Sequence, residues 1–343
     1  MSAPLLPVGR LAPSPTGAQH VGNARTSLLA WISIRSRGGR VILRIEDIDS
    51  PRVKRGAAEQ AIEDLRWLGL DWDEGPDVGG PHAPYVQTER LELYRDALER
   101  LKAAERVYPC TCSRNDVAAA ASAPHAGQEG PVYPGTCAHR RAADIPLPLG
   151  AGTTRQHGRT DRSEASEGVS FGWRFRATSA PRTFTDLVAG QQTANVAAEL
   201  GDFVIAKADG SPAYQLAVVV DDHAMGITEV LRGDDLLPSA FRQLELYDFF
   251  GWSPPRFAHV PLVVGPDGRR LAKRHGDTRL ATLRAAGVAP ERLVGLLASS
   301  CALIPKPESV AARELIPSFD LAKLLREQWT FTDEHLRWLL AAA

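Results

Sequence analysis

The chain has 343 residues, enough for about two domains or one domain with large insertions; its 44% hydrophobic and 24% charged content is ordinary for a soluble globular protein. A formal net charge of −1 gives no overall basic excess for an extended nucleic-acid footprint, leaving at most a local basic patch. No apolar run approaches bilayer length, and "MSAPLLPVGR" lacks the pattern of a secretory signal, so a cytoplasmic protein with no membrane partner is expected.

In chain order, Leu11 and Ala12 read as the end of a strand, and Pro13, Pro15 and Gly17 then break regular structure. From Val21 onward Leu28, Leu29, Ile32 and Ile34 recur at roughly helical spacing, so His20 and Asn23 stand at the mouth of a helix. A strand, a tight turn and an exposed helix start make a geometry in which backbone N–H groups face an anion. "RVILRIEDID" (40–49) begins as a buried strand and ends in carboxylates. Residues 55–70 form an amphipathic helix with Ala61, Leu65 and Leu68 on one stripe, and 88–105 a second, with Thr88 as N-cap. Strand–helix alternation implies parallel strands with crossover helices.

Residues 113–170 break this pattern: they are rich in Ala, Gly, Pro and charge with little periodicity, and "GAGTTRQHGRTDRSEASEG" (150–168) is expected to be mobile. Strands return from "WRFRA" to "ITEVLRGDD", "LPSAFRQLELYDFFGW" reads as a helix, and "FAHVPLVVGPDGRRLAKRHGDTRL" as strand, turn and basic loop. From about 280 everything looks helical. The division expected is a first half of an α/β nucleotide-binding core over 1–107, a cysteine-bearing insertion over 108–172, the second half over 173–280 and a helical region over 281–343.

Of four cysteines, Cys110, Cys112 and Cys137 cluster, which in a cytosolic chain favours a metal over disulfides; Cys301, in an apolar helical stretch, reads as core. Tetrahedral zinc wants a fourth ligand. Tyr133, His125 and His139 are the candidates, imidazole being by far the commoner donor. Separately, Arg269, Arg270, Lys273, Arg274 and His275 crowd a loop after a strand, where mobile basic side chains suit a polyphosphate.

A histidine at a helix start paired with a lysine on a distant basic loop resembles the class I aminoacyl-tRNA synthetases. "APSPTGAQHVGN" is similar to the family's HIGH-type motif and "RLAKRHG" to its KMSKS-type loop. "LRIEDID" and "EVLRGDDLLPSAFRQLELYDFFGW" resemble stretches of the glutamyl branch. Asn23 replaces the second histidine of HIGH; Arg270 and Ala272 replace a lysine and a serine, leaving Lys273 as the main phosphate contact. The resemblance implies a Rossmann-like core that binds ATP, with Mg²⁺, through His20, Gly22, Asn23 and Lys273, with His20 and Lys273 catalytic. It assigns L-glutamate contacts to Arg10, Leu11, Ala12, Pro13, Ser14, Glu46, Tyr214 and Arg232. By residue type, Arg10 suits a bidentate carboxylate clamp and Glu46 an ammonium acceptor. Cys-x-Cys with Tyr-x-x-x-Cys is similar to the structural zinc site of one subgroup, which favours Tyr133 as fourth ligand.

Only about seventy residues follow the basic loop, too few for the anticodon-binding region of a full glutamyl enzyme. The resemblance is therefore to the stand-alone catalytic-core paralogues. These activate glutamate and pass it to queuosine at the wobble position of tRNA(Asp), here as a monomer contacting the anticodon stem-loop. A truncated or discriminating glutamyl enzyme charging the acceptor end, and a non-catalytic tRNA- or partner-binding paralogue, are the alternatives.

Overall fold

The computed structural model describes residues 6–48, 53–113, 115–117, 132–142, 170–269, 271 and 278–341. Strand β1 (Val8–Leu11) pairs in parallel with β2 (Arg40–Leu43), joined by helix α1 (Val21–Arg35). This is a βαβ unit of the kind the alternating pattern implies. α1 is buried on most of its circumference, from Val21 through Ile34, because "LLAWISI" is apolar almost all round.

Helix α2 (Ala57–Trp67) buries Ala61 and Leu65, with Leu68 buried just beyond, as the stripe predicts. Helix α3 (Leu91–Ala103) starts later than expected. Thr88 is not its N-cap: it sits in a single 3-10 turn (Gln87–Glu89), where its backbone N–H and hydroxyl donate to Asp47 at 2.9 and 2.6 Å. A carboxylate from the "RIEDID" segment outcompetes the helix for the threonine.

Strand β3 (Val107–Cys110) pairs antiparallel with β4 (Gly172–Phe175), and β4 with β7 (Phe203–Ala206); between them β5 (Pro181–Asp186) and β6 (Gly190–Asn195) form a hairpin. Helix α4 (Tyr214–Ala224) leads to β8 (Glu229–Gly233), helix α5 (Leu237–Phe250) and β9 (Arg256–Val260), and β8 and β9 are parallel. β8 starts beside β1: the Thr228 N–H donates to Val8 O at 2.9 Å. Pro238 at the start of α5 and Gly251 in the left-handed conformation just past its end are the start and stop signals visible in the sequence.

The C-terminal region is helical in part only. β10 (Val263–Val264) is followed by α6 (Leu280–Ala285), α7 (Pro290–Ser299), two 3-10 turns, a two-residue strand β11 (Trp329–Thr330) and α8 (Asp333–Leu340). β11 pairs in parallel with β10, a contact too short to leave a period in the sequence. Leu293, Leu297, Ala312, Phe331 and Leu339 share one apolar cluster with α1 and β2, and Cys301 is buried in it. Most of the 113–170 segment, including all of the stretch 150–168 expected to be mobile, lies outside the described residues.

Candidate active site and metal centre

The sequence "QHVGN" folds as a capped helix start. His20 is extended and its Nδ1 accepts from the backbone N–H groups of Gly22 and Asn23 at 3.1 and 3.4 Å, while Asn23 Oδ1 accepts from the His20 N–H at 3.2 Å. A Cβ on Gly22 would lie 3.0 Å from His20 Cε1, so glycine leaves room for the ring to fold back over the helix end. Because Nδ1 is an acceptor, the neutral imidazole carries its proton on Nε2. The residues after the basic loop close against the same helix end: Val21 N donates to Thr278 O at 3.1 Å and Leu280 N to Gln19 O at 2.9 Å.

Arg10 comes from β1 and is buried; its Nη1 donates to Leu231 O at 3.4 Å. The chain beyond β2 runs beside the proline-rich turn, with Glu46 N donating to Pro13 O at 3.1 Å. That brings the Glu46 carboxylate to the end of the β1–β2 pair. Tyr214 opens α4, and Arg232, in β8, reaches its hydroxyl at 3.5 Å. These side chains border a cavity of about 520 Å³. Arg10, Leu11, Ala12, Pro13, Ser14, His20, Gly22, Asn23, Glu46, Tyr214 and Arg232 all line it. Lys273, with Arg270, Arg274 and His275, lies outside the described residues.

The wall thus offers two guanidinium groups, Arg10 and Arg232, and two carboxylates, Glu46 and Asp235, a lining suited to a small ligand that carries both carboxylate and ammonium groups. Burial pushes the Glu46 carboxyl up, against the pull of Arg44 and Arg10. Burial also opposes the charge on Arg232, partly offset by Tyr214. Behind the wall, Arg44 has no exposed side-chain surface; it donates from Nη2 to Glu46 Oε1 at 2.9 Å and from Nη1 to Asp222 Oδ1 at 2.8 Å. Asp222 in turn lies 3.5 Å from Arg10 Nε. Burial works against Arg44, yet Asp222, Glu46 and Asp221 together raise it well above its ordinary value. Arg44 and Asp222 were not singled out from the sequence; the carboxylates of "VVVDDH" offered a signal only in being charges inside an apolar helix.

The second constellation lies at the end of β3. The sulfurs of Cys110, Cys112 and Cys137 are all within 4.8 Å of one another. Tyr133 Oη is 3.4 Å from Cys110 Sγ and 3.7 Å from Cys112 Sγ, and Cys112 Sγ is 3.7 Å from Cys137 Sγ. A zinc tetrahedron with bonds of about 2.3 Å to sulfur and about 2.0 Å to oxygen has edges of roughly 3.5–3.8 Å. The donor set therefore fits zinc. His139 is exposed and outside this group, and His125 lies outside the described residues. Burial opposes ionisation of Cys137, but the Thr111 backbone and hydrogen bonds with Tyr133, Cys112 and Cys110 bring its thiol down to about 7. Burial and the neighbouring thiols push Tyr133 upward. Arg174 stacks 3.9 Å over the Tyr133 ring and donates to Cys110 Sγ at 3.2 Å, offsetting negative charge on the cluster.

Residues 8–338 match the family model for the catalytic domain of class I tRNA synthetases (E and Q). A relative from Symbiobacterium thermophilum, named Glutamyl-Q tRNA(Asp) synthetase, is 56% identical over 93% of this chain and 94% of its own. Another of that name, from Rhodopirellula baltica, is 49% identical over 95% of this chain and 97% of its own. A crystal structure of a glutamate tRNA ligase from Elizabethkingia meningosepticum, in complex with its amino acid, superposes with a TM-score of 0.79 at 30% identity. It covers 98% of this chain and 69% of that one. The motif at the mouth of α1, the guanidinium-lined cavity and these similarities agree: the chain belongs to the family of class I aminoacyl-tRNA synthetase catalytic domains specific for glutamate and glutamine.

Proposed function

We propose that the chain activates L-glutamate with ATP and esterifies it to queuosine at the wobble position of tRNA(Asp). The observation that carries the glutamate assignment is the gathering of Arg10, Glu46, Tyr214 and Arg232 around one cavity beside the His20-capped helix end. Glu46 accepts the ammonium group, and the two guanidinium groups take carboxylate oxygens. In the first step a glutamate α-carboxylate oxygen bonds to the α-phosphorus of ATP. The bond from that phosphorus to the bridging oxygen breaks, and pyrophosphate leaves with the electron pair. His20 Nε2–H and the N-terminus of α1 stabilise charge on the phosphates, Lys273 holds the leaving group and Mg²⁺ accompanies the nucleotide. In the second step a hydroxyl of the queuosine cyclopentenediol attacks the anhydride carbonyl, AMP leaves, and an ester forms.

Zinc, held by Cys110, Cys112, Cys137 and Tyr133, supplies a structural cross-link between the end of β3 and residues 133–137, with no part in either step. The assignment of queuosine as acceptor is supported by the relatives of that name, which match along nearly their whole length.

The test is glutamate-dependent ATP–pyrophosphate exchange without tRNA, followed by glutamylation of tRNA(Asp) with and without queuosine. Exchange without tRNA, and transfer only to the queuosine-bearing form, are expected. Exchange that strictly requires tRNA, with charging of the acceptor end, overturns the reading in favour of a truncated glutamyl enzyme. Absence of exchange under any condition leaves a binding module.

A further inference from the structure

β8 and β9 are paired in register with Arg232 opposite His259, and the chain after β5 runs beside β9, where Leu187 N donates to Phe257 O at 2.8 Å. Three chain segments thereby align Asp186, His259 and Arg232. Asp186 Oδ2 is 2.6 Å from His259 Nδ1, and Arg232 Nε donates to His259 Nε2 at 3.0 Å. Neither Asp186 nor His259 has exposed side-chain surface. The other Asp186 oxygen, Oδ1, accepts from the backbone N–H groups of Val188, Ala189 and His259 at 2.9, 2.8 and 3.1 Å, which fixes the carboxylate.

A guanidinium can only donate and a carboxylate only accept, so the imidazole between them is neutral, with its proton on Nδ1 and its lone pair on Nε2. Burial keeps His259 below its ordinary value; its hydrogen bond to Asp186 and the Leu236 carbonyl facing the ring work against this, and the Arg232 charge works with it. Arg232 has further commitments: Nη2 donates to Leu236 O at 3.3 Å and Nη1 reaches the Tyr214 hydroxyl at 3.5 Å. One donor remains on each terminal nitrogen, on a residue that borders the cavity. Arg232, from β8, and Glu46, from the chain beyond β2, border that cavity from different segments.

We infer that Asp186 and His259 are positioning residues: they lock the plane of Arg232 so that its two remaining donors present a fork to the side-chain carboxylate of the amino acid, selecting glutamate over glutamine. The inference rests on the glutamate site proposed above. An amide in the substrate would turn its NH₂ toward one tine of a fork that cannot accept.

Asp186→Asn tests the pairing. The place of Oδ1 is held by three backbone donors, so the amide nitrogen must occupy the other position and donate to His259 Nδ1. That drives the ring proton to Nε2, against Arg232 Nε–H, the same tautomer logic as in the serine-protease triad. In glutamate-dependent exchange D186N is expected to raise the glutamate KM about tenfold or more, with the ATP KM unchanged and the preference over glutamine reduced. H259Q, whose amide oxygen replaces the Nε2 acceptor, should stay within about threefold of wild type, while H259L should not. Nitrogen-15 chemical shifts of histidine-labelled free protein report the tautomer directly: Nε2 unprotonated in wild type, protonated in D186N. Should D186N fail to fold, the H259Q and H259L pair and the wild-type spectrum carry the test. A protonated Nε2 in wild type overturns the inference, as does an unchanged glutamate KM in H259L while wild type exchanges with glutamate. A wild-type protein whose tautomer is as stated but which shows no glutamate-dependent exchange overturns instead the glutamate site and the selectivity argued from it.

Discussion

His20 does two things with one ring. Its Nδ1 closes the first turn of α1, a task asparagine performs as well at an N-cap, and in the proposed reaction its Nε2–H faces the phosphates, which asparagine at that reach cannot do. His20→Asn should therefore leave the folding free energy within about 1 kcal/mol of wild type. It should also slow pyrophosphate exchange about a hundredfold, by analogy with loss of an oxyanion donor. Thermal melting and steady-state exchange, read on the same preparation, check both halves. Glu46 and Arg232 were singled out because each sits in a stretch resembling the glutamyl branch, Arg10 and Tyr214 came with them from the same resemblance, and the fold gathers all four around one cavity. Asp186, His259, Arg44 and Asp222 were not singled out. Their meaning lies in partners brought together by the fold, 73 residues apart for Asp186 and His259 and 178 for Arg44 and Asp222, and no local period records such a pairing.

At the scale of elements, the amphipathic helices and the first strands were readable and their ends less so, while α4 reads in the sequence as strand because "LAVVV" is apolar on every face and shows no helical period. α2 kept its stripe, whereas α3 lost its expected cap to Asp47, and β11 exists only because β10 is there to pair with it. The metal centre depends on the same kind of tertiary closeness, since residues 133–137 must fold back on the end of β3. Purified protein is expected to carry about one zinc per chain. Cys110→Ser should abolish this stoichiometry, lower the melting temperature and impair transfer to tRNA more than adenylate formation. Tyr133→Phe should weaken zinc binding about tenfold or more, since losing a ligand costs no less than losing an outer-shell partner. Metal analysis after competition with a chelator gives the answer, and an unchanged affinity would assign the fourth position elsewhere.

For the molecule as a whole, burial holds three histidines, His223, His259 and His335, below their ordinary value of 6.5. They are neutral in the folded protein but take up protons in the unfolded chain once the pH drops below about 6.5. The unfolded state then binds more protons, so stability falls as pH falls from 6.5 toward the lower folded values, by at most about 1.4 kcal/mol per pH unit for each group. Asp186 acts in the same sense only further down: burial opposes it, but its hydrogen bonds keep its carboxyl below 3.8. Melting temperatures at pH 7.5, 6.5 and 5.5 should decline before any ordinary carboxylate titrates, and less steeply in H259Q. His259 is the fully buried ring, His223 is exposed and His335 half-buried, so most of the decline belongs to His259, and a flat profile would contradict its neutral state.

The antiparallel pairing of β3 with β4 places Cys110 directly opposite Gly172. Everything between these two residues leaves and re-enters the sheet at one point, as a long hairpin connection does. Closure entropy grows only with the logarithm of loop length, so lengthening or shortening such a connection changes stability little. A zinc tie between Cys110, Cys112 and Cys137, as proposed, would divide it into a shorter closed ring and a remainder. The hairpin is in this sense a socket: a change in the length of the segment it carries leaves the cavity, lined from β1, the chain beyond β2, and β8, in place.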